Sequence, residues 1–310
     1  MSLVVVGTMA YDSVKTPFGQ RERSLGGSAT YFSLSASFFT DVKLVSVIGD
    51  DFEDDDLKML ENHGVETSGV VRKPGGKTFH WKGEYGFDLN EAKTLDTHLN
   101  VLADFDPDLP ESYRDAEFLF LANIDPVLQQ KVMDQVRNPK LIALDTMNFW
   151  IDGSLEELKK SLERIDMLII NEGEARQLAD TPNLVKAAEK IKSMGPDTLI
   201  IKQGEYGALL FNDGSVFSAP AYPLEQVFDP TGAGDTFAGG LMGRLAMRHG
   251  AEISDTALRQ AIVMGSVMAS FNVEKFSMDR LKELDRKEIA ERFRQFKKLT
   301  HFDDLTNEDI

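Results

Sequence analysis

Short apolar runs rich in Val and Ile recur along the chain at Leu3–Val6, Lys43–Ile48, Phe118–Leu121, Leu141–Asp145, Met167–Ile170 and Thr198–Lys202. Runs without polar alternation are the mark of strands buried on both faces. Between them lie stretches of helical period, Ala29–Phe39, Leu57–His63, Val127–Arg137, Leu155–Glu163, Leu184–Met194, Asp235–His249, Asp255–Phe271 and Asp279–Lys298. This rhythm predicts an α/β fold with a central, mainly parallel sheet and helices on both of its faces.

Two stretches break the rhythm, residues 11–24 and residues 75–105. In the second, Lys77–Tyr85 and Thr94–Val101 read as extended, with Phe79, Trp81 and Tyr85 alternating along one side. Together they predict a small antiparallel β flap projecting from the sheet edge, either a lid whose aromatic face meets a ligand or a flap packed onto the body by those aromatics. A further hairpin is expected for Ala208–Phe211 and Val216–Ser218 around the Asn212-Asp213-Gly214 turn. The expected organisation is one domain over 1–310 with the lid as its appendage and 302–310, which carry four acidic residues, as a frayed tail.

Composition narrows the partners. The net charge is -17, from 51 acidic and 34 basic residues, so nucleic acid would be repelled over most of the surface. ATP is still compatible, because backbone N–H groups, a helix N-terminus and Mg²⁺ can supply local positive potential. The absence of cysteine excludes disulfides and thiolate sites and fits a cytoplasmic protein. No apolar run reaches the length of a membrane span.

The most informative segment is Asp229-Pro230-Thr231-Gly232-Ala233-Gly234-Asp235-Thr236-Phe237, followed by apolar helix. Gly232 and Gly234 let the backbone turn its N–H groups toward a ligand, and the helix points its positive end at the same spot. Asp235 at that helix start is either a plain N-cap or a base beside an anion cradle made by Gly232, Ala233 and Gly234. Phosphoryl transfer needs a positioned alcohol, a proton acceptor and charge neutralisation, and this segment offers the last two. The Walker lysine is missing, Phe237 stands where the dinucleotide fingerprint needs a small residue, and neither the zinc-protease spacing nor Gly-x-Ser-x-Gly occurs.

The Asp-Pro-Thr-Gly-Ala-Gly-Asp-Thr-Phe segment resembles the C-terminal signature of the PfkB (ribokinase) family of carbohydrate and nucleoside kinases, and the resemblance extends over nearly the whole chain. Gly26 and Gly27 resemble the N-terminal signature of that family, and Asp12 resembles its sugar-holding aspartate. Asn171 and Glu174 resemble its Asn-x-x-Glu motif, and Lys202, Gly204 and Gly207 its nucleotide loop. The resemblance implies a ribokinase-like fold and an ATP- and Mg²⁺-dependent kinase acting on an alcohol, in the family usually a hydroxymethyl group. It implies Asp235 as base, Asn171, Lys202, Gly204, Gly207, Thr231, Gly232 and Gly234 around ATP, and Glu174 reaching Mg²⁺ through water.

Each residue also has a bland reading. Asp12 suits a turn, Gly26 and Gly27 a helix start, and Asn171 with Glu174 a capping box. Asp145 at a strand end joins the candidates on phosphate, metal or water. Thr30 stands where the family usually has a substrate-site asparagine, with a shorter reach. Asp229 resembles an aspartate that binds a monovalent cation in some relatives, which leaves K⁺ stimulation open. Phe79, Trp81, Tyr85, Phe149 and Trp150 offer flat surfaces that tilt the substrate toward a nucleoside, with a free pentose or hexose close behind. A non-catalytic ligand-binding relative is the rival of another class, and its mark would be loss of Asp235 or the glycines. Monomer and homodimer both stay open.

Overall fold

A computed structural model describes residues 2–247, 252–301 and 303. Its strands are β1 (Leu3–Val6), β2 (Ala10–Thr16), β3 (Gly19–Gly26), β4 (Val42–Gly49), β5 (Val65–Lys73), β6 (Phe79–Tyr85), β7 (Ala92–His98), β8 (Phe118–Leu121), β9 (Leu141–Leu144), β10 (Met167–Asn171), β11 (Thr198–Lys202), β12 (Ala208–Asn212) and β13 (Ser215–Ala219). Its helices are α1 (Ser28–Ser37), α2 (Asp54–Asn62), α3 (Pro126–Met133), α4 (Asn148–Gly153), α5 (Leu155–Leu162), α6 (Glu172–Ala179), α7 (Leu184–Lys192), α8 (Ala233–Ala246), α9 (Asp255–Asn272) and α10 (Arg286–Thr300).

The large sheet runs β13-β12-β11-β10-β9-β8-β1-β4-β5. Pairing is parallel from β5 through β11, and the β12–β13 hairpin closes the other edge antiparallel. Alternate residues of each central strand serve opposite cores. Leu3 and Val5 pack with α1, α8 and α9, whereas Val4 and Val6 pack with α3, α5, α6 and α7. Burial on both faces is why these strands carry no polar alternation, and the predicted central sheet with helices on both sides is what forms.

β5 was not anticipated. As an edge strand it carries polar residues at Glu66, Thr67, Ser68 and Arg72 and a glycine at Gly69, so no apolar run announces it. The short α4 and α6 were also missing from the predicted helices. The last helix starts at Arg286 rather than Asp279, because the Asp285 side chain accepts from the N–H groups of Lys287 and Glu288 and caps it there. α8 begins at Ala233, and His249, its expected end, lies outside the described residues, as does the predicted frayed tail apart from Asp303.

The flap is a four-stranded sheet in the order β3-β2-β6-β7. It is mixed rather than antiparallel: β2 and β6 run parallel, with Asp12 opposite Trp81. The reason lies in the large sheet. β2 follows β1 and β6 follows β5, and because β1 and β5 point the same way, the chain enters the flap twice in the same direction. β7 then forms an exposed edge.

Candidate functional site

The site gathers at the carboxyl ends of the parallel strands, where open α/β sheets leave a crevice. Its centre is the start of α8. Gly232 is the N-cap and adopts the left-handed conformation with φ of 73°, and a Cβ there would overlap the ring of the buried Tyr31. The N–H groups of Gly232 and Gly234 have no hydrogen-bond partner among the described residues. The Ala233 N–H is already given to Pro230 O at 3.1 Å, so the cradle has two free amides where three were expected. Residues 232–235 are partly accessible, not sunk into the core.

Around that helix start lie Asp145, Glu174, Lys202 and Asp235. Lys202 Nζ donates to Asp145 Oδ2 at 3.0 Å and lies 3.0 Å from the place of a Cβ on Gly234, so the ammonium sits over the first turn of α8. Burial disfavours that charge, but the carboxylates of Asp145, Glu174 and Asp235 outweigh it and raise the affinity of Lys202 for its proton. Burial and the Asp145 carboxylate, only partly offset by Lys202, push the Asp235 carboxyl up to about 7. Burial and Asp145 likewise push Glu174 up to about 7.

The capping box expected of Asn171 and Glu174 is present. Asn171 Oδ1 accepts from the Glu174 N–H and Glu174 Oε2 from the Asn171 N–H, both at 2.8 Å. The same cap holds Glu174 where the charges of Asp145 and Lys202 act on it, so capping does not take it away from the start of α8.

Asp12 shares the flap face of Trp81 and Tyr85, since β2 and β6 are in register and alternate together. A Cβ on Gly26 would overlap the Asp12 carboxylate, and the Gly27 N–H donates to that carboxylate. The two glycines therefore hold Asp12 in place. Gly27 has a second duty: its φ of 95° and the nearness of Thr8 O, Ala10 N and Met9 Cα leave no room for a side chain. Burial and the Asp229 carboxylate push Asp12 up to about 7. The Trp81 indole lies across Gly83 and donates to Thr94 Oγ1 at 3.2 Å, so it is fastened to the flap itself with part of its surface open. Phe79 is half-buried on the same face.

Other expectations change. Thr30 has no accessible surface and its hydroxyl has no hydrogen-bond partner, so the substrate contact expected of it is not available in this arrangement; its side chain is enclosed within α1 packing. Both oxygens of Asp229 are engaged, accepting from the N–H groups of Thr231 at 2.9 Å and Ser277 at 3.0 Å. That makes Asp229 a brace of the loop. Gly204 and Gly207 both have positive φ, and Gln203 donates to Gly207 O at 2.8 Å, closing a tight loop after β11. Phe149 and Trp150 pack edge to face on α4, and the Trp150 indole N–H goes to Asn123 Oδ1. Tyr85, expected as one of the flat aromatic surfaces, stands with its hydroxyl beside Thr231, and Asn90, which no sequence pattern singles out, packs against Gly204.

Residues 2–283 match the pfkB family of carbohydrate kinases. A cytidine kinase of Thermococcus kodakarensis is 30% identical over 248 residues, covering 78% of this chain and 87% of that protein. In structure, a nucleoside kinase of Burkholderia thailandensis in complex with inosine superposes with a TM-score of 0.76 at 21% identity, covering 94% and 97% of the two chains. The aminoimidazole riboside kinase of Salmonella enterica, complexed with aminoimidazole riboside and an ATP analogue, superposes with a TM-score of 0.72 at 18% identity, covering 94% and 100%. With the match running from β1 to beyond α9 and taking in the glycine turn at α8, the chain belongs to the pfkB family of carbohydrate kinases, ATP-using phosphotransferases with an alcohol as acceptor.

Proposed function

We propose that this protein is a nucleoside kinase that transfers the γ-phosphate of ATP to the hydroxymethyl oxygen of the nucleoside. The observation that carries the reading is Asp235 at the start of α8, flanked by two free amides and by Lys202, in a cleft shared with Asp12 and the aromatic face of the flap. Asp12 accepts from vicinal hydroxyls and sets the sugar, while the flap acts as the lid. The hydroxymethyl proton passes to Asp235 as its oxygen attacks the γ-phosphorus and the bond to the ADP oxygen breaks. A base held near neutrality is matched to that transfer. The amides of Gly232 and Gly234 and the Lys202 ammonium take the charge that develops on the phosphoryl oxygens.

Around ATP the reading assigns Asn171, Lys202, Gly204, Gly207 and Thr231. Among the described residues no three His, Asp or Glu side chains stand close enough to hold a metal directly. A Mg²⁺ ion fits as one held by phosphate oxygens and water, with Glu174 reaching that water; when bound it neutralises phosphate charge. Asp229 braces the loop through both oxygens, each of which keeps a lone pair that a K⁺ ion could use.

The nucleoside preference is supported by the indole of Trp81 laid flat over Gly83 on the Asp12 face, a surface that suits a base. The names of two relatives, a cytidine kinase and an inosine-bound nucleoside kinase, point the same way. No helix among the described residues is long and apolar enough to cross a membrane, and Mg-ATP as donor suits the cytoplasm. The test is ADP release from Mg-ATP with a panel of nucleosides and free pentoses and hexoses, with and without K⁺. Nucleosides should turn over with the higher kcat/KM; preference for a free sugar would return the protein to sugar kinases, and binding without ADP release would make it a sensor.

A further inference from the structure

Three hydrogen bonds are among the contacts that seat the far end of the flap on the body. Thr16 Oγ1 donates to Phe228 O at 2.8 Å, Thr231 Oγ1 donates to the Tyr85 hydroxyl at 3.4 Å, and the Glu205 N–H donates to Asn90 Oδ1 at 3.3 Å. The first two contacts are to the loop that leads into α8, the third to the loop after β11. Of the three, only the Tyr85 contact lies among the carboxylates of the cleft: Asp229, Asp12 and Asp235 all act electrostatically on its ring oxygen.

The phenol has a definite hydrogen-bonding state there. Burial is the largest influence on it and, together with those carboxylates, outweighs the Thr231 hydrogen bond and raises the phenol well above its ordinary range, so it stays protonated at any working pH. Its oxygen accepts from Thr231, and no acceptor for its own proton exists among the described residues. The cleft therefore holds two ionised or ionisable acids that accept protons from substrate hydroxyls, and on Tyr85 an O–H that can only be satisfied by an acceptor.

We propose that Tyr85 is a substrate-contacting residue: its lid-borne hydroxyl donates to an oxygen of the nucleoside, while the same hydroxyl receives the bond from Thr231. One group would then register the acceptor substrate against the loop that carries the anion cradle. This rests on the nucleoside kinase reading above, which the panel assay tests separately.

The experiment compares wild type with Tyr85→Phe on a parent nucleoside and on analogues that each lack one oxygen: 2′-deoxy, 3′-deoxy, and the carbocyclic analogue with a methylene for the ring oxygen. Phe keeps the ring and its packing, so the melting temperature should hold. With the parent nucleoside, kcat/KM should fall about 5- to 50-fold, the loss expected for one hydrogen bond in a buried site. The KM for ATP should stay within twofold. Against one analogue the wild type should lose the same factor, and the variant should lose nothing further, because the bond is already gone. Additive losses for every analogue, or an unchanged kcat/KM in the variant, would overturn the assignment. If the wild type phosphorylates no nucleoside, it is the function that fails; should it phosphorylate the parent while the variant matches it, only the role of Tyr85 fails.

Discussion

Replacing Gly26 by Ala should weaken acceptor binding and leave ATP binding and the fold nearly untouched. The new Cβ would overlap the Asp12 carboxylate, which is the movable end of a side chain, and Gly26 lies at the end of β3 with no left-handed φ to strain. The carboxylate must rotate away from the Gly27 N–H and from the place where substrate hydroxyls would meet it. A hydrogen bond to a charged group contributes about 1.5–3 kcal/mol. At about 1.4 kcal/mol per tenfold, the acceptor KM should rise about 10- to 150-fold. Asp12 is held in a desolvated position that raises its carboxyl to about 7, so letting it turn toward water costs little folding stability. Gly27→Ala is the contrasting perturbation: φ of 95° and three backbone atoms of residues 8–10 leave nothing flexible to move, and the protein should lose several kcal/mol or fail to fold. The assay is steady-state ADP release, varying acceptor at saturating ATP and then ATP at saturating acceptor, beside a thermal melt of each variant. An acceptor KM for Gly26→Ala within twofold of wild type, in a protein that melts normally, would refute the placement of Asp12 in the acceptor site.

Two further outcomes follow from the same geometry. Asp235→Asn removes proton acceptance while keeping shape, so kcat should fall about 10²- to 10⁴-fold with the melting temperature retained; in the wild type, kcat/KM should climb as pH rises through about 7, where the Asp235 carboxyl ionises, and full activity of the variant would remove the base. Stability of the ligand-free protein should run the other way: Asp12 and Asp235 have folded values raised to about 7, so the folded chain holds protons that the unfolded chain has released above the ordinary carboxylate range. That contribution is complete below about pH 4 and is lost as pH rises through 7, so chemical denaturation between pH 6 and 8 should show falling stability, with a shallower slope in Asp12→Asn; a stability that rises over this interval would contradict the burial of these acids.

The central strands were legible because burial on both faces demands continuous apolar residues, and that demand is met within each strand alone. The same holds for the turn at 229–235, whose glycines, helix start and aspartate lie in one short stretch, and for the Asn171–Glu174 capping box. β5 was not legible, because an edge strand is free to be polar. The parallel pairing of β2 with β6 follows from the direction in which two other strands leave the sheet, which no local pattern encodes. Likewise, nothing near Gly26 in the chain says that its missing side chain makes room for Asp12, nothing near Tyr85 says that it meets Thr231, and nothing near Lys202 says that it spans Asp145 and the start of α8. The sequence by itself determined the layers, the glycine turn and which residue types carry the chemistry, since steric freedom, capping and burial act over a few residues. Only the tertiary structure decided which of those residues share a cleft, that Ala233 has no free amide, that Thr30 is enclosed, and that Asp145, Glu174 and Asp235 crowd Lys202, because proximity and desolvation arise from packing between segments far apart in the chain.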